Sequence, residues 1–156
     1  MRRSDREITD YSKMFEILKS CDCVRVGFVD EVGAYIVPLN FGYLEEDGKI
    51  TLYFHGAKEG KKTDLMKEQP VVGFEMDAKH KVLEGATACN YTFLYQSIMG
   101  RGRIERVTEY PEQEKGLALL MEHYSGKTDW HFPPQIFEKM DIVKLTITEW
   151  TCKEHQ

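Results

Sequence analysis

The sequence predicts a mainly β (α+β) fold, a six-stranded antiparallel β-barrel with peripheral helices. Three observations lead to this prediction. Apolar residues alternate with other residues over several short segments, which is the period of a strand with one buried face. Turn signals such as Asp47-Gly48 join consecutive segments, which favours antiparallel hairpins. Helical periodicity is limited to short stretches between these segments, so we expect helices to cover the openings of a barrel that pairs its own edges.

Six segments carry the strand pattern. They are residues 24–29, 34–41, 50–55, 71–76, 91–107 and 142–151. Pro38 lies inside the second segment, and because proline cannot donate a backbone hydrogen bond, we expect this strand at an edge or a bulge. Its neighbouring backbone groups would then be free to meet a ligand. Residues 77–90 are polar and small, and we expect them to form a loop.

Four segments are predicted to be helical. They are residues 10–20, residues 62–69, a segment that begins at Thr108, and residues 134–140. Thr9 and Asp10 are the candidate N-caps of the first helix, because their side-chain oxygens can accept a hydrogen bond from the first turn. Pro70 ends the second helix. Residues 1–8 are highly charged, and we expect them to be loosely held.

Length and composition exclude several classes of protein. At 156 residues and 42% hydrophobic content, the chain is expected to form one domain over residues 1–156. A net charge of −5 does not favour binding to nucleic acid. The sequence has no run of about 18 apolar residues that could span a membrane, and its N-terminus lacks the apolar stretch of a signal peptide.

The cysteines point to a reducing environment. The four of them, Cys21, Cys23, Cys89 and Cys152, are too few and too scattered for a disulfide framework. Buried free thiols are favoured over metal ligands, because Cys21 and Cys23 have no second ligand pair nearby. We therefore expect a cytoplasmic protein with no metal site.

Residues 53–65 have the order of a phosphate-binding corner. A strand ends in His55, Gly56 and Ala57, and a short helix then begins near Lys61 and Lys62. The first N–H groups of a helix have no partner inside it, and the helix dipole favours negative charge there. The two lysines add formal positive charge. The alternative is a loop with a solvated pair of lysines, and the residues alone do not decide between the two.

Two better-known phosphate loops are excluded. The loop of ATP-binding proteins has four residues between its glycines and a Ser or Thr directly after its Lys, whereas three residues separate Gly56 from Gly60 and Lys62 precedes Thr63. The dinucleotide-binding fingerprint needs three glycines between a strand and a helix. The segment around Gly102 has two glycines and strand-like sequence on both sides.

Three blocks of sequence together carry a family resemblance. The blocks are Val37-Pro38-Leu39-Asn40-Phe41, then Tyr53-Phe54-His55-Gly56-Ala57 with Gly60 and Lys62, then Tyr95-Gln96-Ser97-Ile98 followed by Gly102-Arg103. They resemble the FMN-binding split-barrel proteins related to pyridoxamine 5′-phosphate oxidase. Their order and spacing also match, over roughly residues 10–125. Within this family the sequence is most similar to the 5-nitroimidazole resistance proteins.

The resemblance implies a six-stranded split β-barrel over residues 1–156 that binds FMN at the interface of a homodimer. The implied cofactor-binding residues are Val37, Pro38, Leu39 and Asn40 along the flavin ring, His55, Gly56, Ala57, Lys61 and Lys62 at its phosphate, and Ser97 nearby. It also implies a flavin-dependent oxidoreductase that reduces nitroaromatic or related small molecules.

His55 is the candidate catalytic residue, because it is the one histidine inside these blocks. It could donate a hydrogen bond near the flavin phosphate or to a substrate oxygen; the alternative is a structural hydrogen bond at the end of a strand. Two other functions remain open. One is a flavin-binding or ligand-sensing protein without catalysis, and the other is a haem-binding relative, which is disfavoured because no histidine occupies an obvious axial position.

Overall fold

The computed structural model of the chain describes residues 3–156 and contains one antiparallel sheet with four α-helices. The strands are β1 (Glu7–Ile8), β2 (Val24–Val29), β3 (Ala34–Leu39), β4 (Gly42–Glu46), β5 (Lys49–Gly56), β6 (Val71–Leu83), β7 (Thr92–Arg106) and β8 (Asp141–His155). The helices are α1 (Tyr11–Ser20), α2 (Lys61–Glu68), α3 (Tyr110–Ser125) and α4 (Ile136–Lys139).

The strands follow the order β3-β2-β6-β7-β8-β5-β4, and β1 pairs with the end of β8. Within residues 3–156 neither β3 nor β4 pairs with a second strand, so the sheet is not closed. Only Asn40 and Phe41 separate β3 from β4, although these strands lie at opposite ends of the order. This short connection brings the two ends of the sheet together, and the sheet curls around its core.

The main core fills the concave side of this sheet. Val24, Val26 and Phe28 alternate along β2 and are fully buried, as the sequence pattern predicts for a strand with one buried face. Each such side chain contributes about 1.5–3 kcal/mol of hydrophobic free energy. Helix α1 covers the core with Ile17 and Leu18. Its N-cap is Asp10, whose side chain accepts a hydrogen bond from the Lys13 N–H, which confirms one of the two predicted caps.

Helix α3 packs on the convex side and holds the β3–β4 connection in place. The backbone of α3 approaches Gly42 so closely that a Cβ there would collide with main-chain atoms of Leu120. His123 places one ring nitrogen 2.8 Å from the carbonyl oxygen of Phe41 and the other 3.2 Å from that of Lys19. The Phe41 N–H donates to the Tyr124 hydroxyl, at 3.2 Å. Helix α3 therefore holds the β3–β4 connection of the curled sheet through its C-terminal half.

The prediction of a mainly β, antiparallel fold with peripheral helices is confirmed, but the number of strands is wrong, since the structure has eight rather than six. The two missed strands are β1 and β4. Strand β1 lies in the segment expected to be loosely held and has two residues, too few to show alternation. Strand β4 ends in Glu45 and Glu46, both exposed, so its outer half has no apolar pattern.

Two boundaries also differ from the predictions. Residues 77–83 were expected in a loop, but β6 continues to Leu83 and pairs with the start of β7 beyond a bulge at residues 78–81. Residues 79–83 are exposed, and pairing without burial leaves no hydrophobic pattern in the sequence. Helix α3 begins after Glu109 with no side-chain cap, so the prediction of Thr108 as its cap is wrong.

Among the described residues, no helix combines the length and the apolar character needed to cross a membrane.

A network of partly buried polar side chains joins α3 to the sheet. The Glu112 carboxylate accepts hydrogen bonds from Lys144 at 2.8 and 3.1 Å and from the Tyr53 hydroxyl at 3.1 Å. The Lys144 ammonium lowers the pKa of the Glu112 carboxyl below its usual value. Burial and the Glu112 charge raise the pKa of Tyr53 to about 12, so its hydroxyl stays a donor.

This network predicts a pH-dependent contribution to folding stability. A carboxyl whose pKa is lower in the folded than in the unfolded chain stabilises the fold above its unfolded pKa, and this contribution is lost as the pH falls through the folded pKa. We expect Glu112→Gln to lower the free energy of unfolding by about 1 kcal/mol at pH 7. The difference from the unmodified protein should shrink towards zero in acid, as urea unfolding at a series of pH values would measure.

Glu46→Gln is the matched control, because Glu46 forms an exposed ion pair with Lys115, with 3.4 Å between Oε1 and Nζ. It should change stability little at any pH, since exposed ion pairs contribute little. A loss for Glu112→Gln that stays the same from pH 7 into acid would contradict the role given to its charge.

Candidate functional site

The predicted phosphate corner is a turn between β5 and α2. Strand β5 ends at Gly56, and α2 begins at Lys61 after the N-cap Gly60. Gly60 has φ +122°, in the region that side chains rarely adopt, which explains a glycine at this position. The Thr63 hydroxyl donates to the carbonyl oxygen of Ala57 at 3.3 Å and ties the turn to the first turn of the helix. The predicted order of strand, small-residue turn and helix is therefore present.

The two lysines of the corner have different surroundings. Lys61 is 52% exposed and forms an ion pair with Asp30 in the β2–β3 turn. Its ammonium also lies 4.5 Å from the centre of the Tyr35 ring. The ion pair lowers the pKa of the Asp30 carboxyl. Lys61 therefore fastens α2 to the β2–β3 hairpin, and its charge is already paired.

Lys62, in contrast, points back over the end of β5. Its ammonium lies against Gly56, where a Cβ would collide with it, so Gly56 leaves the space that Lys62 occupies. Burial lowers the pKa of Lys62. None of the ion pairs formed within residues 3–156 includes Lys62, whereas Lys61 is paired. Of the two lysines at the start of α2, Lys62 is thus the one whose charge is available to an anion.

The Pro-containing block forms β3, and β3 lies at an end of the sheet, as Pro38 predicts. Val37 and Leu39 are half-buried and face the core, while Pro38 and Asn40 are exposed. Gly42 pairs with Tyr53 in the β4–β5 ladder. The chain connection from β3 to β4 therefore leads towards the end of β5. The contact of the Lys61 ammonium with the Tyr35 ring also brings the start of α2 against β3.

His55 is exposed at the end of β5, on the opposite face from the buried Phe54. Its imidazole makes no hydrogen bond with any other residue in the described part of the chain, so the alternative of a structural hydrogen bond has no support. A donor at this position faces solvent, directly before Gly56 in the chain and on the face of β5 opposite to the one on which Lys62 lies.

Ser97 lies farther away than the resemblance implies. It is on β7, paired with Asp77 of β6, and it faces the same outer side of the sheet as Pro38. β3 and β7 are three strand spacings apart, roughly 14 Å. The structure therefore does not bring Ser97 into contact with the other predicted site residues, and only a ligand or a second chain lying across the outer face could join them.

Sequence reasoning missed two charged residues behind the corner, Asp141 and Arg106. Asp141 is the first residue of β8 and pairs directly with Gly56 of β5. Its side chain is buried, and one carboxylate oxygen accepts a hydrogen bond from Arg106 at 2.6 Å. A single Asp before an apolar strand is common in sequences, so no local signal distinguishes it; only the pairing of β8 with β5 places it here.

The residues at the corner fit a phosphate monoester. Gly56 leaves room for the Lys62 ammonium, the charge of Lys62 is not paired, and the first N–H groups of α2 have no partner within the helix. A cavity of about 510 Å³ lies elsewhere, beneath α3, and is lined by residues that include Tyr53, Glu112 and Lys144. None of the predicted cofactor-binding residues lines that cavity, and Glu112 is hydrogen-bonded to both Tyr53 and Lys144.

Comparison with known proteins identifies the family to which the chain belongs. A family model described as pyridoxamine 5′-phosphate oxidase matches residues 10–154. No curated protein matches the chain. Among solved structures, a proposed 5-nitroimidazole antibiotic resistance protein from Bacteroides thetaiotaomicron superimposes with a TM-score of 0.81 and 28% identity, over 95% of this chain and 86% of that one.

Two more distant structures share the fold. A protein from Mycobacterium smegmatis that binds FAD and haem has a TM-score of 0.82 and 15% identity, over 97% of this chain and 74% of that one. An FAD-binding protein from Mesorhizobium loti has a TM-score of 0.67 and 19% identity, over 97% and 98% of the two chains. The resemblance found in the three sequence blocks is confirmed. The family match extends over nearly the whole chain, and the chain therefore belongs to the pyridoxamine 5′-phosphate oxidase family.

Proposed function

We propose that this protein binds FMN between the two subunits of a homodimer and reduces nitroaromatic or related small molecules. The observation that carries the proposal is the position of Lys62, an unpaired and half-buried lysine against Gly56 at the start of α2, beside the free edge of β3. The similarity to a proposed 5-nitroimidazole resistance protein supports the choice of acceptor, and the FAD-binding relatives support a flavin.

A single terminal phosphate matches the charges at the corner. Lys62 and the first N–H groups of α2 would bind its oxygens, while Lys61 stays with Asp30. A second phosphate, as in FAD, would need further cations, and besides these two lysines the turn has a single other one, the exposed Lys58. FMN is therefore favoured over FAD for this chain.

The backbone of residues 37–40 would lie along the flavin ring. β3 has a strand on one side only, so the N–H and C=O groups on its other side are free to contact a ligand. Pro38 contributes no N–H, which keeps another strand from pairing there. Bound and reduced, FMN supplies two electrons and a proton to an acceptor. His55, exposed at the end of β5, would donate a hydrogen bond to an acceptor oxygen on which negative charge develops.

The outer face of the sheet supports the homodimer. Ile36, Val71 and Met99 are 60%, 57% and 51% exposed on β3, β6 and β7. Between them Gly27 pairs with Gly73, which leaves backbone without side chains at the centre of the face. Ser97 lies on this same face, so a second copy packed against it would bring Ser97 close to the flavin of its partner.

A flavin-binding protein without catalysis is the alternative. Both functions predict a yellow protein. Reduction of a nitroaromatic compound by the protein loaded with FMN and supplied with a reduced nicotinamide separates them: turnover supports the oxidoreductase, and its absence with several donors supports the binding protein.

The first prediction separates the two lysines. Lys62→Met should weaken FMN binding about tenfold to a hundredfold, since a hydrogen bond to a charged group contributes about 1.5–3 kcal/mol. Lys61→Met, the matched control, should weaken it less than about threefold, because an exposed, already paired lysine contributes little. Titration of the apo-protein by flavin fluorescence measures both. Riboflavin, which lacks the phosphate, should bind all three proteins equally, and equal losses of FMN affinity in the two variants would exclude the role of Lys62.

The second prediction concerns assembly. Ile36→Glu places a charge at the centre of the proposed interface and should convert the dimer to a monomer that no longer retains FMN, as light scattering and absorbance would show. Val32→Glu is the control, because Val32 is 95% exposed in the β2–β3 turn. A monomeric unmodified protein that retains FMN would exclude the shared site.

The third prediction concerns His55. His55→Ala should keep its flavin but reduce a nitroaromatic about a hundredfold more slowly, given the roughly 2.7–4 kcal/mol contributed by one such donor elsewhere. The cysteines should not matter: burial raises the pKa of Cys21 to about 12 and that of Cys152 to about 11, so both remain thiols.

Cys89→Ser, which changes an exposed thiol, is the control in the same stopped-flow assay of flavin reoxidation. If this variant stalls and His55→Ala does not, the reaction proceeds through a thiol and the role of His55 is wrong.

A further inference from the structure

Asp141 is a buried carboxylate with one oxygen unused. It is 4% exposed, and its Oδ1 accepts a hydrogen bond from Arg106 Nη2 at 2.6 Å. Its Oδ2 is buried and has no hydrogen-bond partner within residues 3–156. A buried carboxylate oxygen without a partner is costly, so the structure retains it against a free-energy penalty.

This carboxylate lies next to the phosphate corner in the sheet. Asp141 is the direct partner of Gly56 across the β5–β8 ladder, and the Lys62 ammonium lies against that same glycine. Gly56 thus has a buried carboxylate beside it in the sheet and an ammonium over it from α2. Burial lowers the pKa of Lys62, and the negative charge of Asp141 opposes this effect.

Most of the other charged groups around the corner are engaged elsewhere, whereas Lys58 and Glu59 of the turn are exposed and form no ion pair within residues 3–156. Lys61 pairs with Asp30, and Asp64 pairs with Lys67 at 3.1 Å on the outer side of α2. Arg106, at the end of β7, bonds to Asp141 itself. His55 faces solvent on the exposed side of β5. Of the described carboxylates, Asp141 is the one whose charge acts on Lys62.

We propose that Asp141 is a positioning residue of the anion site, which holds the Lys62 ammonium charged and directed over Gly56, while Arg106 fixes the Asp141 carboxylate in place. A half-buried lysine without a counter-charge either loses its proton or rotates into solvent. Either change would leave the corner without a positive charge. The coupling of Asp141 to Lys62 belongs to the chain itself; only the identity of the anion as the FMN phosphate rests on the proposed function.

The test measures Lys62 directly in the protein without flavin. Lysine side-chain NMR, with the Lys62 signal assigned from its absence in Lys62→Met, follows the titration of its ammonium. Asp141→Asn should move the midpoint down by about 1 pH unit, the size of effect expected when one nearby opposite charge is removed. An unchanged midpoint would overturn the proposal.

Arg106→Gln separates this role from a purely structural one. It removes the cation that is hydrogen-bonded to Asp141. The midpoint of the Lys62 titration should therefore stay the same or rise rather than fall. A purely structural pair would loosen the corner alike in both variants and expose Lys62 to solvent, which would raise the midpoint in both and contradict the proposal. If Asp141→Asn does not fold, as circular dichroism would reveal, Arg106→Gln still tests the proposal, because a midpoint that falls in this variant would overturn it.

Ligand binding provides the second readout. The pH at which FMN affinity is half lost should fall in Asp141→Asn in step with the Lys62 midpoint, while riboflavin affinity should not change with pH in this way. An FMN profile that does not move when the Lys62 midpoint moves would remove Lys62 from the anion site. A failure of the unmodified protein to bind FMN would overturn the proposed cofactor but would leave the measured coupling of Asp141 to Lys62 intact.

Discussion

The connection of two residues between β3 and β4 is the constraint on which the rest of the structure depends. These strands lie at opposite ends of the sheet order, and a connection of Asn40 and Phe41 cannot span an open, flat sheet of seven strands in sequence. The sheet must therefore curl until its ends meet. Phe41 is fully buried, and His123 and Tyr124 hold its backbone groups, so α3 maintains the curled form.

The same constraint creates the candidate site. It brings the free edge of β3 beside the end of β5, two segments that are not neighbours in the sheet order. Helix α2 then crosses from β5 to the β2–β3 hairpin, where Lys61 binds Asp30 at one end and the Gln69 side chain bonds to the backbone of Val29 at the other. With α2 fastened at both ends, the position of Lys62 over Gly56 is determined by the fold rather than by local flexibility.

Polar side chains beneath α3 and at the phosphate corner differ in whether they have partners. The network of Glu112, Lys144 and Tyr53 satisfies its own charges and attaches α3 to the sheet. At the corner, Lys62 forms no ion pair and Oδ2 of Asp141 has no hydrogen-bond partner within residues 3–156. A buried polar atom without a partner costs folding free energy, and a ligand-binding site is one setting in which such a cost is retained. The other such side-chain atom, Oε1 of Gln96, lies on β7, away from the corner.

The sequence by itself determined the features that depend on neighbouring residues. Alternating apolar residues identified six of the eight strands, Asp10 marked the start of α1, and Gly60 with the lysines marked a strand-to-helix corner. Together the three motif blocks identified the family. Two features were decided only by the tertiary structure. Lys61 rather than Lys62 is paired, because Asp30 is far from Lys61 in sequence but close to it in the fold. Asp141 lies beside Gly56, because β8, the last strand, pairs with β5. The tertiary structure also placed Ser97 three strands from β3 and extended β6 through exposed residues. These features arise from strand pairing between distant segments, which leaves no periodic signal in either one.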